Sequence, residues 1–315
     1  MDEAPLRPMR EVTPAACAEV RRALEVGIRE FRRWGIEPPP GSWIQRAADR
    51  LDAVVARDSL GVNEDELRQT SAAIALAVDL YHIGISLDSE SNRQIAAELS
   101  AVARGRLLGR GAAAAGSDFL TQFWVGTLLA QSKLQPRIIT GDRRGTSKPD
   151  FIITKGKIDF IVEVKRPRTA GSAERAIKTA ARQLRDHNQP GIIIVDATDC
   201  ISADPWGVTR ASQTTRDQVG VELDALYTRL GDIIDSRRPS PVFTQVAMLL
   251  TFSRFWSWTR EESTEPTRDA GLHFRARSFT YKWSMQVARV TKDVQRALLI
   301  GVEQLTGNPP AYRFF

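Results

Sequence analysis

The first third of the chain shows the spacing of amphipathic helices. Between residues 14 and 34, apolar side chains recur every three or four positions with Arg and Glu between them, which predicts a helix. After a break at three prolines, Ser42 is a suitable N-cap for a second helix. Further helices are predicted from residues 63–66 and over residues 89–108. Residues 1–110 are therefore predicted to be a helical N-terminal region.

The pattern changes after residue 110, because strands and helices then alternate. A joint is predicted at the Gly- and Ala-rich stretch 109–116. The predicted elements that follow are a helix over 117–132 capped by Ser117 or Asp118, strands over 138–140, 149–154 and 158–165, a helix over 173–187 and a strand over 191–196. The last of these is a continuous apolar run, which is typical of a central strand buried on both faces.

The C-terminal third continues the alternation. A helix over 214–236, strands over 243–252 and 273–283 and a closing helix over 291–305 are predicted. The order of elements predicts an α/β fold, with residues 111–315 as one α/β domain.

Composition and charge narrow the functional classes. The net charge is +6, and a basic chain suits a polyanionic partner such as nucleic acid. No apolar run reaches membrane-spanning length, so no membrane association is expected. Cys17 and Cys200 match no metal-ligand spacing, which favours a reducing, cytoplasmic location. His82 lies in an apolar run and is predicted to be a core histidine.

The predicted hairpin carries the candidate chemistry. Side chains alternate between the faces of a strand, so Glu163 and Lys165 share a face and Val164 points to the other. With a tight turn at 155–157, antiparallel pairing brings Asp150 beside the end of the second strand. Two carboxylates and one ammonium group are therefore predicted to converge at one end of a sheet.

This cluster is costly without a cation, because two neighbouring carboxylates repel each other and raise each other's pKa. Mg²⁺ fits such a site, since it takes one or two carboxylates and keeps several waters. The ion would polarise a phosphate and lower the pKa of a bound water. Lys165 would orient that water or stabilise the charge that develops on the phosphate.

Lys148-Pro149-Asp150 followed by Glu163-Val164-Lys165 resembles the motif of the PD-(D/E)XK nuclease superfamily. The resemblance covers roughly residues 117–196. It implies a restriction-endonuclease-like core, in which helices flank a central mixed β-sheet. It also implies that Asp150, Glu163 and the main-chain carbonyl of Val164 bind Mg²⁺, with Mn²⁺ as a substitute, and that Lys165 activates the attacking water.

Two further positions follow from this resemblance. Many members carry a Glu on the helix before the hairpin, where this chain has Gln122, with Asp118 one turn earlier. A neutral Gln can hold a metal-bound water but cannot neutralise charge, so both residues are possible helpers rather than assigned ligands. Many members also carry a Gln on the helix after the hairpin, and Gln183 matches that place as a catalytic candidate.

Basic residues cluster around the motif. The candidates for nucleic-acid binding are Arg143, Arg144, Arg166, Arg168, Arg175, Lys178 and Arg182. Those on the helix after the hairpin recur every three or four positions and share one face. They form either an ordinary solvated face or a ridge that follows a phosphate backbone.

The sequence predicts a Mg²⁺-dependent deoxyribonuclease, an endonuclease in bacterial genome defence or restriction by analogy. Cutting both strands of a duplex needs two sites, so a homodimer is expected. The N-terminal region could bind a protein partner. Two alternatives remain open: a nucleic-acid-binding module with a degenerate nuclease site, and an interaction protein in which the motif is accidental.

Overall fold

The structure is a computed structural model that describes most of the chain. The described residues are 13–59, 63–86, 96–104, 114–131, 134, 136–138, 149–155, 158–201, 213–237, 240–258, 270–281, 285–306 and 311–314. The DNA-binding candidates Arg143 and Arg144 lie outside them, as do residues 156–157 of the predicted turn.

The helices confirm the pattern of apolar positions. They are α1 Pro14–Arg33, α2 Trp43–Arg57, α3 Glu64–Ser86, α4 Ala96–Ala103, α5 Ala114–Gln131, α6 Ala170–His187, α7 Gln213–Arg237 and α8 Met285–Thr306. Ser42 caps α2 as predicted, since its side chain accepts a hydrogen bond from the Gln45 N–H.

The strands form one mixed sheet within the described residues. They are β1 Arg137–Ile138, β2 Phe151–Lys155, β3 Ile158–Lys165, β4 Gly191–Asp196, β5 Val246–Trp258, β6 Ala270–Thr280 and β7 Ala311–Phe314, and they lie in this order across the sheet. β2 and β3 pair antiparallel with Lys155 opposite Ile158, so the predicted hairpin is confirmed. β3, β4 and β5 are parallel.

Helices cover both faces of the sheet. The face that carries Ile161 and Ile193 packs against α6 and α7, whereas the face that carries Val162 and Ile194 packs against α5 and α8. All six residues of β4 are buried, which confirms the predicted central strand. The α/β class predicted from the sequence is therefore correct.

Helix α5 joins the N-terminal helices to the sheet. Leu120 and Phe123 belong to the core of the N-terminal helices, while Trp124 and Leu128 belong to the core beside the sheet. A boundary near residue 110 therefore does not separate two independent cores, because one helix contributes to both.

Some predicted boundaries are wrong. The helix before the hairpin begins at Ala114 rather than at a cap at Ser117 or Asp118, because alanines of the predicted joint are themselves good helix formers. The strand predicted from residue 243 begins at Val246 and continues to Trp258. Its extension depends on the pairing with β6, which runs from Met248 to Trp258 of β5. Strand β7 was not predicted.

Candidate nuclease site

The hairpin brings the three charged side chains of the motif together. Phe151 pairs with Val162, which places Asp150 immediately beyond the paired residues and next to the end of β3. The Lys165 ammonium lies 2.6 Å from Glu163 Oε2 and 3.7 Å from Asp150 Oδ2. The predicted convergence is therefore confirmed.

Two donors hold the Asp150 carboxylate. Gln122, on α5, donates from Nε2 to Oδ1 at 2.9 Å, and the Val164 main-chain N–H donates to Oδ2 at 2.7 Å. The N–H and C=O of one strand residue point toward the same neighbouring strand. The Val164 carbonyl is therefore directed toward the Asp150 side of β3, as expected of a candidate ligand.

Glu163 is the most buried member of the site. Its side chain is 0% exposed, and its Oε1 has no hydrogen-bond partner among the described residues. Burial raises the pKa of Glu163 to about 8, with the nearby Asp150 adding to the effect and Lys165 opposing it. An unpartnered buried carboxylate oxygen is costly, which indicates a place for a further positive or donor group.

The pKa values of Asp150 and Lys165 are shifted by the same surroundings. Burial also raises the pKa of Asp150 despite the opposing effect of Lys165. Burial by itself would lower the pKa of Lys165, but the two carboxylates outweigh it and the pKa is raised. Fully ionised, the cluster holds two negative charges and one positive charge, so it carries an excess negative charge in a largely buried place.

The oxygen atoms of this site suit a hard divalent ion that takes only a few ligands from the protein. Within the described residues, no group of three or more His, Cys, Asp or Glu forms a complete metal cage. Mg²⁺ does not need one, because it commonly takes one or two carboxylates and keeps its waters. Asp150, Glu163 and the Val164 carbonyl supply that kind of set, and the unpartnered Glu163 Oε1 is its most specific feature.

A second charged cluster lies beside the first. Arg166 Nε is 3.1 Å from Asp199 and 3.8 Å from Asp196. Arg168 contacts Asp199 and Asp118, each at 2.5 Å. Burial by itself would lower the pKa of Arg166, but these carboxylates raise it above its ordinary value. The charges of Arg166 and Arg168 are therefore compensated within the fold, and Asp118 is paired with Arg168 rather than with Lys165.

Asp196 and Asp199 are site neighbours that the sequence reasoning missed. Asp196 is 0% exposed and accepts hydrogen bonds from the Thr121 hydroxyl at 3.2 Å and the Thr198 N–H at 3.0 Å. The available signal was an acidic residue that ends the buried strand β4 next to the motif strand. Through Thr121 on α5 and Arg166 just after β3, Asp196 joins these two elements to β4.

The candidates on α6, the helix after the hairpin, are Gln183, Arg175, Lys178 and Arg182. Gln183 has a buried Oε1 without a hydrogen-bond partner among the described residues, so this atom links it to none of the motif residues. Arg175 and Arg182 are exposed, as the shared helix face predicts. Lys178 lies 2.5 Å from Glu174, one turn earlier on the same helix.

Comparisons with known proteins add nothing to this geometry: no family model, no curated protein and no solved structure matches the chain. In the described part of the chain, none of the helices combines the length and the apolar character that crossing a bilayer requires.

Proposed function

We propose that this chain is a Mg²⁺-dependent nuclease that hydrolyses phosphodiester bonds of DNA. The observation that carries the proposal is the buried Glu163 carboxylate, which has one unpartnered oxygen and lies beside Asp150 and Lys165. Such a concentration of perturbed ionisable groups is typical of functional sites. An accidental ion pair at the surface would explain neither the burial of Glu163 nor its unpartnered oxygen.

In the proposed site, Asp150, Glu163 and the Val164 carbonyl hold Mg²⁺, or Mn²⁺ in its place. The ion supplies polarisation of the scissile phosphate and a bound water of lowered pKa. Gln122 fixes the orientation of Asp150 through its hydrogen bond to Oδ1. Orientation of ligands by such neighbours is a common requirement of metal sites.

Lys165 acts on the nucleophile and the phosphate. Its ammonium lies between the two carboxylates and keeps 20% of its side chain exposed, so a substrate phosphate and its attacking water can approach it. From this position Nζ orients the water and stabilises negative charge on the phosphate oxygens. Attack by water would leave a 5′-phosphate, as the resemblance to the PD-(D/E)XK superfamily implies.

The order of elements supports the restriction-endonuclease-like part of the proposal. Helix α5, strands β1 to β3, helix α6 and strand β4 follow one another around the motif. The motif strand β3 lies beside the buried central strand β4. This agrees with the helix, hairpin, helix and strand context that the resemblance requires.

The substrate assignment rests on charge. The chain carries a net charge of +6, which favours a polyanion. We assign phosphate-backbone contacts to the exposed Arg175 and to Arg143 and Arg144, whereas Arg166 and Arg168 serve to position the acidic groups behind Lys165. In this proposal a homodimer would allow both strands of a duplex to be cut. The N-terminal helices would provide a surface for a protein partner. The biological role that we propose is bacterial genome defence.

The second candidate function is a nucleic-acid-binding module whose nuclease site is degenerate. Gln122 favours it, because this position lacks the carboxylate that many PD-(D/E)XK members have there. A binding module would retain DNA without cutting it in any divalent metal ion. The intact Asp150, Glu163 and Lys165 favour the first candidate.

Incubation of the full chain with supercoiled plasmid and with linear DNA tests the proposal. Nicking or linearisation of the plasmid is expected with Mg²⁺ or Mn²⁺ and not with EDTA. Asp150→Ala and Lys165→Ala are each expected to reduce cleavage by about 10²–10⁴-fold while DNA retention stays near that of the wild type.

Lys155→Ala is the matched control, because Lys155 lies at the other end of the same hairpin and pairs with Asp293. It removes a lysine of the same sheet without touching the motif, so its cleavage should equal that of the wild type. Metal-independent cutting, or full activity of Lys165→Ala, would overturn the proposal. DNA retention without cutting would favour the binding module.

A further inference from the structure

A basic cavity of about 400 Å³ lies between α6, the end of α7 and the segment that leads into β5. Its walls include the cations Lys178, Arg182 and Arg237, the hydroxyl-bearing Ser236 and Ser240, and the aromatic ring of Phe243. These side chains come from three separate parts of the chain, so the cavity exists only in the folded protein.

The cavity is separate from the candidate nuclease site. Strand β5 begins at Val246, which pairs with Gly191 at the start of β4. Lys165 pairs with Val195, near the end of β4. The two places therefore lie toward opposite ends of the parallel strands, and the cavity is not explained by the proposed nuclease chemistry.

Positive charge exceeds negative charge at the cavity. Glu174 contacts Lys178 at 2.5 Å and Arg237 at 3.2 Å, so one carboxylate is shared between two cations. Arg182 is exposed and forms no ion pair with another described residue. Guanidinium groups bind phosphate oxygens through charge-assisted and often bidentate hydrogen bonds.

The cavity is larger than a phosphate ion requires. About 400 Å³ is within the range of small-molecule sites, which usually combine an apolar surface with a few placed polar groups. Phe243 adds little apolar surface, because only 4% of it is exposed and it belongs to the core beneath α6 and α7, so the cations and hydroxyls provide the contacts that can select a ligand. A ligand with an anionic end and an organic part that fills the remaining volume matches this cavity.

We propose that this cavity binds a nucleotide-sized organic phosphate, with the phosphate on Arg182 and Arg237. The phosphate could come from a free nucleotide or from the backbone of a nucleic acid, and the observations favour the free nucleotide. Three cations gathered around one cavity of about 400 Å³ suit a small ligand, whereas a nucleic-acid backbone needs cations repeated along its path.

Isothermal titration of the full chain with the four ribonucleoside 5′-monophosphates tests this assignment, with inorganic phosphate, adenosine and a short single-stranded oligonucleotide as comparison probes. At least one monophosphate is expected to bind about tenfold more tightly than inorganic phosphate. Adenosine is expected not to bind. Arg182→Ala and Arg237→Ala are each expected to weaken monophosphate binding by about 10-fold or more, as the loss of a charge-assisted hydrogen bond implies.

Arg185→Ala is the matched control, since Arg185 is exposed on the same helix and pairs with Asp186 away from the cavity. Equal weakening by Arg185→Ala would mean a general charge effect and would overturn the proposal. So would the absence of binding by all four monophosphates, or an oligonucleotide that binds while they do not. DNA cleavage is scored separately in the same variants, so failure of this assignment is distinguishable from failure of the nuclease proposal.

Discussion

Both carboxylate oxygens of Asp79 accept a hydrogen bond at 2.9 Å from one Nη of Arg254, which lies 175 residues later in the chain. Both side chains are less than 10% exposed. The Arg254 guanidinium also lies over the Trp124 ring, 4.5 Å from its centroid. This buried pair joins α3 of the N-terminal helices to strand β5, and Trp124 places α5 against the same guanidinium.

Loss of one partner of this pair is expected to be strongly destabilising. Arg254→Met leaves a buried carboxylate without its cation, and burial already raises the pKa of Asp79 even with Arg254 present. The expected loss is about 3–5 kcal/mol in the free energy of unfolding, measured by urea denaturation. The double variant Asp79→Leu with Arg254→Met should be more stable than Arg254→Met. Equal or lower stability of the double variant would contradict this account.

Gln122 is expected to act through Asp150. Gln122→Leu keeps the size of the side chain but removes the donor to Asp150 Oδ1, so the carboxylate loses its orientation. Metal-dependent DNA cleavage should fall by about 10–100-fold, while thermal stability stays near that of the wild type. Gln69→Leu is the control, because Gln69 makes a similar hydrogen bond to Asp65 on an exposed helix surface. Unchanged cleavage by Gln122→Leu would remove Gln122 from the proposed site.

His82 is expected to make stability depend on pH. Burial lowers the pKa of His82 from 6.5 to about 4. As pH falls from 6.5 toward 4, the unfolded chain takes up a proton that the folded chain excludes, so stability falls across this window by an amount on the order of 3 kcal/mol. Above pH 6.5 the contribution is constant.

Urea denaturation of the wild type and of His82→Gln at several pH values measures this contribution. The variant cannot titrate at this position, so the difference between the two stabilities should change between pH 6.5 and 4 and stay level above that window. A constant difference across the whole range would show that His82 is protonated equally in the folded and unfolded states.

Two glycines of the same region are expected to respond in opposite directions to alanine. A Cβ on Gly191 would lie 2.2 Å from Leu184 Cδ2, and Leu184 is fully buried. Gly191→Ala should therefore cost about 1–3 kcal/mol through overpacking. Gly171, in the first turn of α6, has nothing within 4 Å of the added Cβ, and Gly171→Ala should stabilise by about 0.4–1 kcal/mol. Thermal denaturation measures both changes in stability. Destabilisation by Gly171→Ala would contradict the stabilisation expected at this open position of α6.

The sequence by itself determined the elements that depend on local pattern. The period of apolar positions predicted α1 and α2, and the apolar run of β4 predicted a strand buried on both faces. The convergence of Asp150, Glu163 and Lys165 was also predictable. It depends on the alternation of side chains and on a short hairpin, and both are properties of adjacent residues.

Only the tertiary structure decided which charges are compensated. Arg166 and Arg168 come shortly after Lys165 and were predicted to bind nucleic acid. Asp196, at the end of β4, and Asp199, just after it, neutralise their charges in the structure. The same holds for Arg254 and its partner Asp79 on α3. A contact between residues far apart in the chain leaves no periodic signal, because it is set by how layers pack and not by the backbone around either residue.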